Sequence, residues 1–327
     1  VYRVTPPWEG LSKHFTKGFE AFALLLMREM PVAKVAQVVD ETDMRLWRML
    51  LAHVEKAYGE ADFSAVSCVG VDELSRKKGH HYLTIFADLV QKRVLFATEG
   101  KDQETWGQFR DALLAHNGHP HAVTEASMDM SPAYVKGVRE NCRNAEIVFD
   151  KFHVVAQANA AVDEVRRTER RLGGAKAREQ LEKTQWLWRK NPAHLTEKEQ
   201  KRLARIDREN LCTAKAYQMR LTLQDIYELE SASRATKRFG AWCRWVRREA
   251  KKHAELLLWP MVKVAEMVQR HLAGIVAHWR HRTTNGWMEA LNGILQAIKR
   301  KARGYRTTEY LKAIIYFVAA KLRIPAT

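Results

Sequence analysis

Five short apolar runs between residues 65 and 150, parted by polar turns and two helical stretches, limit the fold more than any other feature of the chain. The runs AVSCVGVD (65–72), HYLTIFAD (81–88), RVLFAT (93–98), AVTEASMD (122–129) and AEIVFD (145–150) have the length and the β-branched and aromatic content of strands. The first is apolar enough for a buried central strand, and the second and third are spaced as a hairpin. Between the later runs, DQETWGQFRDALLAH and SPAYVKGVREN read as helices, the second with Pro132 in its first turn and Ser131 placed to cap it. The order β-β-β-α-β-α-β predicts an α/β core on a mixed sheet.

The flanks carry helical periodicity instead. From residue 13 to about 58, Pro31 and the DETD stretch at 40–43 cut the pattern into three helices, the short PVAKVAQVV being followed by a turn and the longer DMRLWRMLLAHVEKAYG. Short helix, turn, longer helix is the helix-turn-helix arrangement, whose last helix enters the major groove; Arg45, Arg48 and Thr42 are its candidate DNA contacts. Asp40 stands where a turn glycine is expected, and aspartate tolerates left-handed backbone better than most residues. The alternative is a three-helix docking module. The AYGEADFS connector places a domain boundary near residue 62.

From 154 to about 272 only charged helical segments appear, including a capping box at Thr196 and Glu199. Trp186, Trp188, Trp242, Trp245 and Trp259 of this block read first as core, with stacking on unpaired bases as the alternative. Arg166 and Arg167 in RRTERR, and Arg247 and Arg248 in RWVRRE, are candidate phosphate contacts. A further amphipathic helix spans TTNGWMEALNGILQAIKRKARGYR at 283–306. Trp287, Met288, Leu291, Ile294, Leu295 and Ile298 form its apolar face, whereas Glu289, Gly293, Gln296 and Arg300 share the other side. Its far end is basic, with Lys299, Arg300, Lys301 and Arg303.

The excess of 55 Lys and Arg over 38 Asp and Glu, a formal charge of +17, favours a polyanionic partner, nucleic acid before membrane surface. The apolar runs at 21–27 and 313–320 are far below the roughly 20 residues of a membrane span. Four dispersed cysteines without a CxxC pair predict neither a disulfide framework nor a zinc ribbon, and fit an intracellular, reducing compartment; with DNA as the expected partner, the expected localisation is cytoplasmic and nucleoid-associated. The first residue is Val rather than Met, so an upstream segment is expected.

Three runs close on Asp72, Asp129 and Asp150, at strand ends where α/β folds place their chemistry. Singly, each reads as a turn or capping acid; jointly, in a basic chain, they point to a divalent cation that relieves their mutual repulsion. All-oxygen ligation suits Mg²⁺ or Mn²⁺, and two ions would clamp the attacking and leaving oxygens of a phosphodiester. A third carboxylate is needed. Asp88 lies in the hairpin turn, and Glu73 points away from Asp72 if its strand continues. His153, three residues after Asp150, is a candidate to touch the scissile phosphate or position that acid, with helix capping as the alternative. HNGHPH at 116–121 lacks Cys or acid at ligand spacing and is not read as a metal site.

The element order resembles the ribonuclease H-like fold. The chain as a whole resembles the DDE transposases of bacterial insertion sequences, most closely the ISL3 family. The segments carrying this are PPWEGLSKHFTKGFEAFALLLMREMPVAKVAQVV, VGVDELSRKKGHHYLTIFADL, SMDMSPAYVKGVRENCRNAEIVFDKFHVV and TTNGWMEALNGILQAIKRKARGYR. The resemblance implies a helix-turn-helix at 1–62, a ribonuclease H-like core at 63–158 and 277–327, and an all-helical insertion at 159–276 ahead of the glutamate helix. It also implies Asp72, Asp129 and Glu289 as catalytic acids and metal ligands for two Mg²⁺ (or Mn²⁺) ions, and Asp150 with His153 as a D-x-x-H element. The implied activity is strand cleavage and strand transfer without a covalent intermediate, on terminal inverted repeats and target DNA, by a homodimer or higher oligomer. Alternatives are a structure-selective nuclease of ribonuclease H type and a domesticated, inert DNA-binding regulator. Relatives of this family carry a zinc ribbon ahead of the helix-turn-helix, which these residues lack.

Overall fold

A computed structural model describes residues 6–12, 14–77, 81–206, 211–252, 257–281 and 286–325, and the chain divides into two compact units, Val1–Glu146 with Thr284–Thr327, and Ile147–Thr283. The predicted helix start at Thr283–Asn285 and the Lys78–His80 part of the second quoted segment lie outside the described residues.

In the first unit, α1 (Lys17–Glu29), α2 (Val32–Val39) and α3 (Asp43–Gly59) bury Ala23, Leu24, Met27, Val35, Leu46 and Leu50 in a common core. Asp40 ends α2 at φ 54°, ψ 47°, the left-handed turn that lets α3 start at once, and the Thr42 hydroxyl caps α3 by accepting from Arg45 N. The five strands are β1 (Cys68–Lys77), β2 (His81–Asp88), β3 (Arg93–Glu99), β4 (Glu125–Met128) and β5 (Glu146–Phe149), in spatial order β3-β2-β1-β4-β5. β1 is antiparallel to β2 and parallel to β4, and β2 is antiparallel to β3. α4 (Glu104–Ala115) leads to β4, and α5 (Pro132–Asn141) leads on to β5. This mixed sheet with its helices is compatible with a ribonuclease H-like core.

One strand departs from the sequence reading. β1 does not stop at Asp72 but continues to Lys77, so Asp72 lies within the strand. The pairing explains the difference: Asp72 and Glu73 pair with Ile85 and Thr84 of β2, while the ladder to β4 ends at Gly70 opposite Ser127. A strand with a neighbour on one side only accepts polar residues such as DELSRK, and so loses the apolar signature of a central strand.

The second unit takes in Ile147–Phe149 of β5 and is otherwise built on helices: α6 (Lys151–Leu172), α7 (Gly174–Leu181), α8 (Glu197–Ala204), α9 (Cys212–Ile226), α10 (Ala232–Ala250), α11 (Trp259–Arg270) and α12 (Leu272–His281). Val154, Ala158, Val162 and Val165 form the buried stripe of α6. Glu169, also buried on α6, caps α9 by accepting from the backbone N–H groups of Cys212 and Thr213 at 2.7 Å each and from the Thr213 hydroxyl at 2.6 Å. Trp188 and Trp242 are core, the latter donating to Met219 O at 2.8 Å, whereas Trp186 and Trp259 are exposed. The Thr196–Glu199 capping box forms.

The first unit is completed by α13 (Gly286–Lys301) and α14 (Thr308–Ala319). α14 docks on α3, with Trp47 and Tyr310 stacked at 4.2 Å, and its Tyr316 hydroxyl accepts from Ala97 N of β3. Among the described residues no helix is long and apolar enough to cross a membrane.

Candidate active site

The site is organised by α13 lying along β1. A Cβ on Gly70 would stand 3.1 Å from Met288 Cγ, Asn292 Nδ2 donates to Asp72 Oδ2, and Lys299 Nζ donates to Ser75 O. The contacts advance together, so helix and strand run in the same direction. The rise from Met288 to Lys299 is about 16 Å at 1.5 Å per residue, and from Gly70 to Ser75 about 17 Å at 3.3 Å per residue.

Asp72 is held at both oxygens, since Glu73 N donates to its Oδ1 at 2.7 Å. Asp129 follows the last residue of β4, and its Oδ1 accepts from Ser131 N at 2.8 Å. Here the sequence reading is corrected: Ser131 occupies the cap position of α5 but makes no side-chain capping bond, and Asp129 makes the turn. The paired register of β1 and β4 ends at Gly70 opposite Ser127, and beyond it Asp129 and Asp72 both lie near enough to Glu73 for their charges to act on its carboxyl.

Glu289 is exposed in the first turn of α13, one turn before Asn292 and on the same side of the helix. Among the described residues no three His, Cys, Asp or Glu side chains converge closely enough to hold a metal ion. The donor types nevertheless fit a hard divalent cation: carboxylate oxygens, joined by the buried Oδ1 of Asn292, which accepts no hydrogen bond. On the other face of β1, Glu73 accepts from the Tyr134 hydroxyl at 3.2 Å. Burial pushes its carboxyl above the usual range; Lys101 and the Tyr134 bond oppose this, while the charges of Asp129 and Asp72 add to it.

In the helical unit, Asp150 is the N-cap of α6, its Oδ1 accepting from Phe152 N at 3.0 Å. Local structure therefore accounts for this acid. His153 Nε2 lies 3.9 Å from Asp150 Oδ2, with its ring partly open to solvent.

The basic residues divide by environment. Arg48 is exposed on α3; Arg45, beside it, pairs with Glu41 at 2.6 Å and lies over the Phe15 ring. Arg300 and Arg303 are exposed, whereas Lys299 and Lys301 donate to the carbonyls of Ser75 and Glu29. Arg166 is buried and bonded to Asp163 at 2.8 Å, which withdraws it from any phosphate; Arg167 is exposed, its Nε 3.4 Å from the same Asp163. Arg248 is exposed, and Arg247 donates to Gln269. His116 of the HNGHPH loop stacks on Phe63 at 4.6 Å. A cavity of about 430 Å³, lined by Met27, Trp47, Ile294, Ile298, Tyr305 and Tyr310, contains none of Asp72, Asp129 and Glu289.

Asn292 escaped the sequence reading. Its available signal was a polar residue in the stripe Met288, Asn292, Leu295, where the helical period calls for an apolar one.

Comparison with known proteins places the chain in a family. The sequence model of a family described as transposase matches residues 69–315, and that of the helix-turn-helix domain of transposase family ISL3 matches residues 12–54. The chain is 28% identical over 306 residues to the transposase for insertion sequence element IS1001 of Bordetella parapertussis, covering 93% of this chain and 73% of that protein. It is also 28% identical over 304 residues to the transposase for insertion sequence element IS1557 of Mycobacterium tuberculosis, covering 84% of this chain and 66% of that one.

Proposed function

The chain belongs to the ISL3 family of transposases, and we propose that it cleaves and joins DNA strands at insertion-sequence ends by metal-dependent phosphoryl transfer. The observation that carries this reading is the seating of α13 along β1, where Asn292 bonds Asp72 and Glu289 stands one turn away, with Asp129 close enough to act together with Asp72 on Glu73. Asp72, Asp129 and Glu289 hold the cations. Mg²⁺ or Mn²⁺, when bound, supplies electrostatic stabilisation of the charge that develops on the phosphodiester oxygens.

The remaining residues bind and orient. Arg48 and Arg45 on α3 meet the terminal repeat, and Arg300 and Arg303 hold phosphates near the cleavage point. A side chain at Gly293 would meet nothing within 4 Å in the protein, so the bare backbone there leaves room for DNA rather than for packing. In the helical unit Arg167, Arg247 and Arg248 bind phosphates, and His153, 3.9 Å from Asp150, either positions that acid or meets a DNA phosphate. Residues 1–62 form the DNA-reading domain, 63–158 with 277–327 the ribonuclease H-like core, and 159–276 its helical insertion. The protein acts as a homodimer or higher oligomer on DNA.

The test is cleavage of a labelled terminal-repeat duplex, followed by strand transfer of the labelled end into a plasmid. Asp129→Asn and Glu289→Gln are expected to lose both reactions by about 10³-fold or more while binding the duplex normally. Cleavage by either variant at the wild-type rate rejects the acid assignment, and cleavage without joining by the wild type converts the enzyme to a nuclease.

A further inference from the structure

One buried oxygen beside Asp72 has no hydrogen-bond partner among the described residues: Oδ1 of Asn292. The orientation of this amide follows from charge. An ionised carboxylate only accepts, so the Nδ2 end must face Asp72 Oδ2, which turns Oδ1 toward the remaining space. Buried acceptors are rarely left without a donor, because their desolvation is otherwise uncompensated. The position itself does not ask for an amide. Asn292 shares a face with Met288 and Leu295, both buried, where leucine would pack with no polar atom to satisfy.

What asparagine provides there, and leucine does not, is one donor for Asp72 and one acceptor next to it. With Glu73 N on Oδ1 and Asn292 Nδ2 on Oδ2, both oxygens of Asp72 are held in a fixed orientation. Mg²⁺ retains several of its waters when bound by few carboxylates, and those waters are strong donors.

Resting on the metal-dependent reading above, we propose that Asn292 is a positioning residue of the centre. Its Nδ2 holds Asp72 in the orientation that binds the divalent cation, and its Oδ1 accepts from a water in that cation's shell. Partners that orient a metal-binding carboxylate typically change metal affinity by about 10–100-fold.

The experiment titrates the full chain with MnCl₂ by isothermal calorimetry and records thermal melts with and without Mn²⁺. Asn292→Leu is expected to bind Mn²⁺ about 10–100-fold more weakly, with a cation-free melting temperature at or above that of the wild type. A purely structural asparagine would give the reverse: a lower cation-free melting temperature and unchanged affinity. Asn292→Asp sets two carboxylates against each other, so its cation-free melting temperature should fall and Mn²⁺ should raise it by more than in the wild type. Wild-type affinity in Asn292→Leu overturns the proposal. Should that variant fail to fold, a Mn²⁺-induced rise in Asn292→Asp no larger than the wild type's overturns it instead. Asp72→Asn separates the two levels: if it binds Mn²⁺ as the wild type does, or the wild type binds none, the assignment of Asp72 as a ligand falls and takes the proposal with it.

Discussion

Replacing Gly70 with alanine tests whether the close seating of α13 on β1 sets the activity. The added carbon would lie 2.6 Å from Leu89 Cδ2 and 3.1 Å from Met288 Cγ. Carbon atoms prefer about 3.5–4.0 Å, so the shortfall is about 1 Å on one side and 0.5 Å on the other. Leu89 has little room to retreat, because its backbone N–H donates to Cys68 O at 3.0 Å and its side chain is buried. Overpacking of this kind costs about 1–3 kcal/mol. Part of the strain is relieved by lifting Met288, and with it α13, which carries Glu289 and Asn292 away from Asp72. A misplacement approaching 1 Å costs on the order of 10²-fold in rate, so cleavage by Gly70→Ala should fall about 10–100-fold while affinity for the terminal-repeat duplex stays unchanged. The assays are urea denaturation and single-turnover cleavage. Adding Met288→Ala to Gly70→Ala removes one of the clashing groups and should return part of the rate, with a coupling energy of at least about 0.5 kcal/mol. Gly70→Ala that is as stable and as active as the wild type refutes the reasoning.

Four further outcomes follow from individual side chains. Glu169→Leu strands the first N–H groups of α9 and should destabilise the helical unit by about 3–5 kcal/mol, read as an early transition in circular dichroism melts. Arg48→Ala and Arg300→Ala should each lower the slope of log K for DNA against log salt by about 1. Arg166→Ala should leave that slope alone and instead cost about 1–3 kcal/mol of stability, because Asp163 loses its shortest partner and keeps the longer pairs to Arg167 at 3.4 Å and Arg189 at 3.9 Å. Burial pushes the Cys142 thiol up to about 12 and that of Cys243 up to about 11. Both remain protonated at pH 8 in the folded protein and should resist iodoacetamide until denaturant is added; rapid native-state alkylation of either would contradict their placement.

Several features of this protein can be read from local chemistry alone. The change from helical to alternating periodicity near residue 65 marks the five-stranded mixed sheet, because each period reports which side chains face a core. Asp40 in the left-handed turn after α2, and the Thr196–Glu199 capping box, follow from the preferences of single residues and their nearest neighbours. The acid Glu289 stands out on α13 because the apolar stripe does not need it.

Other features depend on partners far away in the chain, and no periodicity encodes them. Asp72 lies inside β1 because β2 continues beside it after β4 has stopped, a matter of pairing across strands. That Arg166 is buried against Asp163 while Arg167, pairing with the same acid, stays exposed is set by how α6 packs within the helical unit. Asn292 meets Asp72 across 220 residues. Its amide looks like a flaw in an amphipathic helix until the helix is laid along β1, where the charge of Asp72 supplies the reason for it.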